Sequence, residues 1–301
     1  MVVRNESLRL PFMLDYYFKQ GVDRIFVLDN DSSDDTRSIV LSHDKTHLFH
    51  TKDIYAHHGS WIDLLLRRYG TGCWCLVVDA DEMFVYPEYE TISLKEWCYF
   101  LDHESFDALD CVLLDMYPDR PLSEIEYEQG VNPLQIARWF DESSYIEDRA
   151  GPQYVPEMDI LHQGPSRFWG GMRKRVFDVL PCVSKFPLIK FKKSMFLSRG
   201  THWIQGARVA DLRGALLHFK YLSDFAHHVE QEVARGQRVD GNEREYNEYS
   251  MVLRRFPELN LRADVSVEFH GTRQLVVLGI MKRSQAFEAF AKRVKSDVAV
   301  P

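Results

Sequence analysis

Three acidic side chains follow a short apolar run in the first third of the chain. Residues 75–78 are Cys, Leu, Val and Val, and they lead into Asp79, Asp81 and Glu82. An apolar run of this length is typical of a buried parallel strand, and open α/β sheets bind ligands at the carboxyl ends of their strands. Carboxylates in an Asp-x-Asp pattern can turn towards one divalent cation that holds the phosphates of a nucleotide. The alternative is a strand end followed by ordinary acidic turn residues.

A second polar segment follows another predicted strand, at residues 24–28. Asp29 and Asn30 open a loop that is rich in acids, amides and serines and extends to Thr36. A carboxylate at this position can accept hydrogen bonds from a base or from a ribose hydroxyl. Turn formation alone is the alternative, because Asn, Asp and Ser are the commonest turn residues. We expect Asp29 and Asp79 to lie on the same edge of one sheet.

Two of the twelve histidines are candidate ligands of the same ion. His218 ends the apolar segment 215–217, and a neutral imidazole there could complete the coordination of a cation held by Asp79 and Asp81. His202 is a second candidate of this kind, and a histidine satisfied within the core is the alternative for both. Two pairs of adjacent histidines are interpreted as structural or solvated: His57–His58 and His227–His228.

Basic residues cluster after the glycine pair Gly170–Gly171, although the chain as a whole is acidic. Such a cluster could neutralise a diphosphate as it departs, and a solvated strand face with alternating charges is the alternative. The cluster consists of Arg173, Lys174, Arg175, Lys185, Lys190, Lys192 and Lys193.

The acceptor side of such a site needs a proton acceptor and a surface for a sugar. Asp115, at the end of a predicted strand, and Asp141 are the best-placed candidate bases, since transfer to a hydroxyl requires a carboxylate within hydrogen-bond reach. Four aromatic residues could form an apolar wall for sugar stacking, although core packing is the default for aromatic side chains: Trp139, Phe140, Phe168 and Trp169.

Composition limits the classes of function. The chain has 301 residues, a net charge of −8 and a pI near 5.8, which argues against general nucleic-acid binding. Its five cysteines form no paired framework and indicate a reducing compartment. No stretch approaches the roughly 20 apolar residues of a membrane-spanning helix, and the first residues do not resemble a signal peptide. We therefore expect a cytoplasmic protein, with peripheral contact at the inner face of the membrane left open.

Strands and helices alternate over the first 116 residues, which predicts a mostly parallel central sheet flanked by helices. A capping box at Ser93–Glu96 opens one of these helices. Beyond residue 117 the chain is rich in Pro and Gly, and this loop-rich segment is followed by a more helical one. We interpret residues 1–120 as a nucleotide-binding half and residues 121–301 as a covering half of one continuous domain. The later elements are predicted as strands at 175–180 and 215–219 and helices at 223–235, 243–256 and 284–294.

Taken in order, these segments resemble the glycosyltransferase family 2 superfamily, in particular its bacterial branch that starts with Arg-Asn-Glu. The resemblance extends from residue 1 to about residue 250. It is carried by the segments 3–6 (VRNE), 21–23 (GVD), 29–36 (DNDSSDDT), 79–82 (DADE), 170–177 (GGMRKRVF), 201–203 (THW) and 216–220 (LLHFK).

The resemblance implies a GT-A fold, a nucleotide-sugar donor, a divalent metal (Mn or Mg) and inversion at the anomeric carbon. It further implies a glycan or glycolipid acceptor in cell-envelope synthesis. The donor-binding residues would be Arg4, Asn5, Glu6, Asp29, Asn30, Asp79, Arg173 and Arg175, and the metal ligands Asp79, Asp81 and His218.

The chain departs from the family pattern at three points. Asn30 replaces the second acid of the usual Asp-Asp pair, which removes one expected donor contact. The first predicted strand is nearly absent, as it would be if the start were truncated. No residue matches the family's catalytic carboxylate, so the base is not assigned.

Two other functions are compatible with the same acids. A phosphatase of the haloacid dehalogenase type also places Asp-x-Asp at a strand end, although Glu82 and Met83 stand here where that chemistry favours Gly-Thr or Gly-Val. A non-catalytic module that binds nucleotide sugars would explain the missing base.

Overall fold

The structure is a computed structural model that describes residues 1–148, 153–155, 160–162, 165–198, 200–237 and 242–298. It is a mixed α/β fold. Four positions that contribute to the predicted loop-rich segment lie outside the described residues: Gly151, Pro152, Pro156 and Gly164.

The strands of the described chain are short, apart from two long ones in the central sheet. Their bounds are β1 Val2–Val3, β2 Ile25–Asp29, β3 Thr46–His50, β4 Trp74–Leu76, β5 Glu82–Val85, β6 Ala108–Asp115, β7 Trp139–Asp141, β8 Tyr145–Asp148, β9 Gln153–Val155, β10 Ile160–His162, β11 Arg167–Gly170, β12 Ser184–Lys190, β13 Phe196–Ser198, β14 Trp203–Gln205, β15 Val209–His218 and β16 Ser266–Glu268.

The helices agree with the predicted helical segments more closely than the strands do. Among the described residues none is long and apolar enough to cross a membrane. Their bounds are α1 Leu10–Lys19, α2 Thr36–Leu41, α3 His58–Leu65 with one further π-helical turn Leu66–Gly70, α4 Leu94–His103, α5 Met172–Phe177, α6 Phe225–Arg235, α7 Asn242–Arg255, α8 Thr272–Val277 and α9 Gln285–Val298.

The central sheet has five strands in the order β4-β12-β6-β15-β5. Only the β6–β15 pair is parallel, so the prediction of a mostly parallel central sheet is wrong. Strands β4 and β5 form its two edges and are joined by residues 77–81, a connection too short for the crossover that a parallel return requires. The three parallel strands predicted at the start of the chain form a separate sheet, β1-β2-β3.

Strand register brings three acidic or basic residues together. His218, the last residue of β15, is opposite Asp115 on β6 and opposite Glu82 on β5. Because directly opposed residues point to the same face of a sheet, their side chains meet at one end of the sheet. Strands from both predicted halves of the chain contribute to this sheet, so the division near residue 120 stays a prediction.

Residues 175–180 are not a strand, contrary to the prediction. The chain forms helix α5 instead, which begins after Gly171 and ends before Asp178. Gly171 has φ +68°, and a Cβ at this position would lie 2.7 Å from the Tyr145 ring. The Gly-Gly pair therefore serves a tight turn and close packing against Tyr145. Short apolar runs do not distinguish a strand from a helix by periodicity alone.

The main core packs helices α1, α4 and α9 against the central sheet. Trp97 on α4 and Phe287 on α9 are fully buried and meet edge to face, with ring centroids 4.4 Å apart. The predicted capping box holds the start of α4, since Ser93 Oγ accepts from Glu96 N and the Glu96 carboxylate accepts from Ser93 N. A second cluster around Phe177, Phe225 and Tyr249 packs α5, α6 and α7 together and supports the site described next.

Candidate functional site

A cavity of about 600 Å³ lies beside the end of the sheet where β5, β6 and β15 meet. Charged side chains and aromatic rings both line it, so it can accept a polar ligand with flat or apolar parts. The residues that matter below are Asp79, Glu82, Arg173, Asp178, Lys185, His202, His218, Lys220 and Glu245, with Tyr55, His58, Trp169, Trp203 and Tyr246 among the ring-bearing ones.

The acids Asp79, Asp81 and Glu82 form one cluster, with carboxylate oxygens that lie within 4.8 Å of one another. Glu82 Oε2 accepts a hydrogen bond from Asp79 N at 3.1 Å. Lys185 Nζ donates to Asp79 Oδ2 at 3.1 Å and to Glu82 Oε1 at 2.5 Å. Burial opposes the charge on Lys185, but these two carboxylates outweigh it and raise the pKa of the ammonium. Part of the negative charge is therefore already balanced within the protein.

His218 is held between two carboxylates. Its Nε2 is 3.1 Å from Asp81 Oδ2, and its Nδ1 is 2.7 Å from Asp115 Oδ1. Burial opposes protonation, but the Asp81 and Asp115 carboxylates outweigh it and raise the pKa of His218. The structure thus brings His218 to the acid cluster, as predicted for a ligand, yet both ring nitrogens have carboxylate partners. Glu82, next to Asp79 and Asp81, completes the group of three potential ligands instead.

Arg173 extends the same network towards helix α7. Its Nε donates to Asp115 Oδ2 at 2.8 Å and its Nη1 to Glu245 Oε1 at 3.2 Å. The third nitrogen, Nη2, has no hydrogen-bond partner among the described residues, although Arg173 is buried and lines the cavity. Tyr249 OH also donates to Glu245. A guanidinium with an unused donor beside a cavity is suited to an anionic ligand.

Arg175 and Asp141 lie away from the cavity. Arg175 donates to both carboxylate oxygens of Asp141, at 2.9 and 2.8 Å, and Asp141 is fully buried. Tyr117 OH donates to the same carboxylate at 2.5 Å. Arg173 and Arg175 were predicted to act in one basic cluster, but in helix α5 two residues that are two apart point to different sides. Arg175 and Asp141 therefore form a structural ion pair, which does not support their predicted roles as donor ligand and base.

Asp115 is also not placed as a base. Its two carboxylate oxygens accept from His218 and Arg173, and it is 3% exposed. It orients both of these side chains, because a carboxylate between two cationic partners fixes the position of each.

The segments at the ends of β1 and β2 bind to each other and do not line the cavity. Asp29 is fully buried and accepts from Arg37 Nε at 2.6 Å. Asn30 Oδ1 accepts from Arg235 on α6 at 2.5 Å. The segment 4–6 holds this loop through several contacts, among them Arg4 Nη1 to Asn30 O at 2.7 Å, Asn5 N to Ser32 Oγ at 2.9 Å and Glu6 N to Thr36 Oγ1 at 2.8 Å.

The expectation that Asp29 and Asp79 share one ligand edge is thus not met by these contacts. Arg9 connects the N-terminal part of the chain to the region of the acid cluster. It pairs with Asp224 and donates to the carbonyl of Phe219, the residue that follows His218, at 3.0 Å.

Sequence analysis missed several residues that line the cavity. Lys185 was grouped with other lysines, and its separation from Asp79 by more than 100 residues hides their contact. Glu245 lies in a helix with several acids, so nothing in the pattern distinguishes it. His58 was interpreted as structural or solvated but lines the cavity beside Tyr55, with its ring stacked 4.7 Å from the tyrosine ring. Trp169 does line the cavity, as predicted for a sugar-stacking residue.

His202 is a neutral imidazole in the cavity wall. Its Nδ1 is 2.8 Å from the Ser184 carbonyl oxygen. Burial, and next the charge of Lys185, lowers the pKa of His202 to about 3. The ring therefore stays uncharged in the folded protein at neutral and mildly acidic pH.

This low pKa predicts a loss of stability in acid. Between the unfolded pKa of about 6.5 and the folded pKa, the unfolded chain binds a proton that the folded chain does not, so the free energy of unfolding falls as pH decreases. From pH 7 to pH 5 we expect this residue to contribute a loss of roughly 1–2 kcal/mol. Urea unfolding of wild type and His202→Asn at both pH values measures it. Equal losses in the two proteins would contradict the burial of a neutral ring.

The acid cluster fits a hard divalent cation. Carboxylate oxygens are the preferred ligands of Mg²⁺ and Mn²⁺, and three carboxylates converge here. Asp79 Oδ1 and Asp81 Oδ1 have no hydrogen-bond partner in the described part of the chain, while the other oxygens of these residues are held by Lys185 and His218. The aspartates thus offer two free ligand atoms.

Comparisons with known proteins provide little information about the role of this site. No protein-family model and no curated protein matches the chain. One solved structure that it resembles is the crystal structure of S. aureus TarS 1-349, at 19% identity and a TM-score of 0.32. The match covers 45% of this chain and 41% of that one, so it spans less than half of the solved structure. Similarity this weak carries no argument about the function or the fold.

Proposed function

We propose that this protein is a metal-dependent glycosyltransferase that moves a sugar from a nucleotide-sugar donor to an acceptor hydroxyl, with inversion at the anomeric carbon. The supporting observation is that two members of the acid cluster, Asp79 and Glu82, line a cavity of about 600 Å³ together with the buried Arg173 guanidinium. A cavity of that size accommodates a ligand as large as a nucleotide sugar. The resemblance of the sequence to family 2 glycosyltransferases points the same way.

Asp79 Oδ1 and Asp81 Oδ1 would hold a Mn²⁺ or Mg²⁺ ion. When bound, such an ion neutralises charge on the departing diphosphate. The Arg173 guanidinium would stabilise the phosphates through its positive charge, because it lines the cavity and is already fixed by Asp115 and Glu245. His218 keeps Asp81 in place through Nε2.

The wall of rings around the cavity would bind the sugar. Trp169 lines it and would offer a flat apolar face, which pyranose rings contact through their C–H groups, while the buried Trp203 supports the wall. The acceptor would be a glycan or glycolipid hydroxyl, and the product a cell-envelope glycan. Donor and acceptor would meet inside the cavity. Contact of the protein with the inner face of the membrane would bring a lipid-linked acceptor to the cavity.

A screen of thermal stability tests the proposal. We expect one or more of UDP-, GDP-, CMP- and dTDP-sugars to raise the melting temperature in the presence of Mn²⁺, and EDTA to remove most of the effect. A ligand at 100 times its Kd stabilises the folded state by about 2.7 kcal/mol, which corresponds to roughly 4 °C for a chain of this size. No shift with any donor would contradict the assignment. Stabilisation without turnover would instead indicate a non-catalytic binding module.

One observation favours a second candidate. The ammonium of Lys185 lies 3.1 Å from Asp79, and a phosphatase that uses an aspartate nucleophile benefits from such a cation. Glu82, within 4.8 Å of the same carboxylate, would repel an incoming phosphate. Hydrolysis of p-nitrophenyl phosphate with Mg²⁺ distinguishes the two functions, since rapid turnover would favour the phosphatase.

A further inference from the structure

The cavity contains an accessible proton acceptor that the mechanism above does not use. His202 lies between β13 and β14, and its Nδ1 is 2.8 Å from the Ser184 carbonyl oxygen. A carbonyl can only accept, so Nδ1 carries the proton and Nε2 presents a lone pair. Nε2 has no hydrogen-bond partner among the described residues and is not sealed from the cavity that His202 lines.

Several other proton acceptors in the lining already have partners. Asp79 is assigned to the cation, and the His58 ring stacks on Tyr55. Glu82 binds Lys185 and His218 lies between two carboxylates, while Asp178 and Glu245 each bind a basic side chain through one carboxylate oxygen. A base must accept a proton on an atom that faces the substrate, and His202 Nε2 meets this condition. Because burial lowers its pKa, the ring is a weak base, and it would accept the proton only as the attacking hydroxyl becomes acidic during bond formation.

The backbone of His202 is fixed by a buried arginine behind the cavity wall. Arg167 is 1% exposed, and its Nη2 donates to the His202 carbonyl oxygen and, at 3.1 Å, to that of Ser184. The guanidinium also lies 4.5 Å from the centre of the Trp203 ring. One side chain thus holds both the main chain of His202 and the carbonyl that orients its ring. Such support is typical of a catalytic group, because the group must keep its geometry during the reaction.

We propose that His202 is the catalytic base of the transfer, an inference that rests on the proposed glycosyltransferase function. Nε2 accepts the proton of the acceptor hydroxyl as the hydroxyl oxygen forms a bond to the anomeric carbon of the donor. The bond from that carbon to the phosphate oxygen breaks, and its electron pair leaves with the nucleoside diphosphate. The imidazolium then releases its proton to solvent. This assigns the role for which the sequence offered only Asp115 and Asp141.

The test uses variants that separate the two nitrogens of the ring. Asparagine places its amide nitrogen close to the position of Nδ1, so His202→Asn keeps the Ser184 hydrogen bond and removes Nε2. His202→Gln places an amide near Nε2 that cannot accept a proton in neutral solution. His103→Asn is the matched control, since His103 is exposed at the end of α4 and does not line the cavity. The substrate is the nucleotide sugar that most stabilises the wild type, with Mn²⁺.

We expect both His202 variants to release nucleoside diphosphate about 10²–10⁴-fold more slowly than wild type, with donor Kd by calorimetry unchanged within about twofold. His103→Asn should match wild type. Imidazole added to His202→Gly should restore part of the lost rate, an effect that loss of a purely structural contact would not show. If the asparagine variant does not fold, the glutamine variant and the imidazole rescue decide the question.

Three results would overturn the inference while the transferase function stands. The first is a His202→Asn turnover rate above about a tenth of the wild-type rate. The second is a donor affinity of His202→Asn that falls by as large a factor as its turnover rate. The third is that His58→Asn loses turnover while His202→Asn keeps it. A wild type that turns over none of the donors would remove the inference and the proposed function together.

Discussion

Replacing Asp79 with alanine is expected to lower donor turnover by about 10²–10³-fold and to abolish measurable Mn²⁺ binding, while the protein stays folded. The carboxylate supplies one of the two free ligand oxygens, and the ion it helps to hold neutralises the departing diphosphate. The fold should tolerate the change because the Asp79 side chain is 49% exposed and Lys185 keeps Glu82 as a counter-ion at 2.5 Å. Calorimetry with Mn²⁺, steady-state turnover and thermal unfolding measure the three effects.

Asp211→Ala is the control for this experiment. Asp211 is exposed on β15, in the same sheet, and lies outside the acid cluster and the cavity lining. It should bind Mn²⁺ and turn over donor as wild type does. An Asp79→Ala protein that keeps metal-dependent turnover would show that the acid cluster is not the metal site, and one that unfolds would show that Asp79 is needed to balance Lys185.

Local sequence patterns predicted several of the elements that carry candidate site residues. They did not predict which side chains those residues contact. The acids after residue 78, the capping box at Ser93 and the histidine at the end of β15 were all identified from neighbours in the chain. Periodicity and capping depend on residues within a few positions, so they carry this information. The contact of Lys185 with Asp79 depends on which strands pair, and the register of β12 against β6 and β4 cannot be read from any one segment.

The separation of Arg175 from Arg173 follows from helix α5. Residues 172–177 contain three consecutive basic residues flanked by apolar ones, a pattern that fits a strand or a short helix equally well. The assignment decides which basic residues share a face, since alternate residues align in a strand and diverge in a helix. Arg173 consequently reaches Asp115 while Arg175 reaches Asp141 in a different part of the structure. A short element that forms a helix in place of the predicted strand thus places the two arginines against different carboxylates.

The contacts of Asp115 with His218 and Arg173 fix the positions of charged groups at the cavity. Asp115 connects His218 to Arg173, so the side chain that orients Asp81 and the guanidinium proposed for the phosphates share one carboxylate. These two groups are therefore fixed relative to each other before any ligand binds. Such preorganisation lowers the cost of arranging charges during the reaction.

Replacing Arg173 with methionine should be the most destabilising of the changes considered. The guanidinium is the counter-ion of Asp115 and Glu245, which are 3% and 9% exposed, and its loss leaves both carboxylates buried without a cationic partner on that side. Breaking a buried ion pair in this way costs about 3–5 kcal/mol, which corresponds to a melting temperature roughly 10 °C lower. Differential scanning calorimetry and urea unfolding measure the loss.

The matched variant is Lys174→Met, one position along α5. Lys174 pairs with Asp178, but their side chains are 44% and 81% exposed, so its removal should change the free energy of unfolding by less than about 1 kcal/mol. A double variant, Arg173→Met with Glu245→Gln, should recover part of the stability because it removes one of the stranded charges. If Arg173→Met is as stable as Lys174→Met, the buried guanidinium does not hold these carboxylates, and the preorganised pocket that the transfer mechanism requires does not exist.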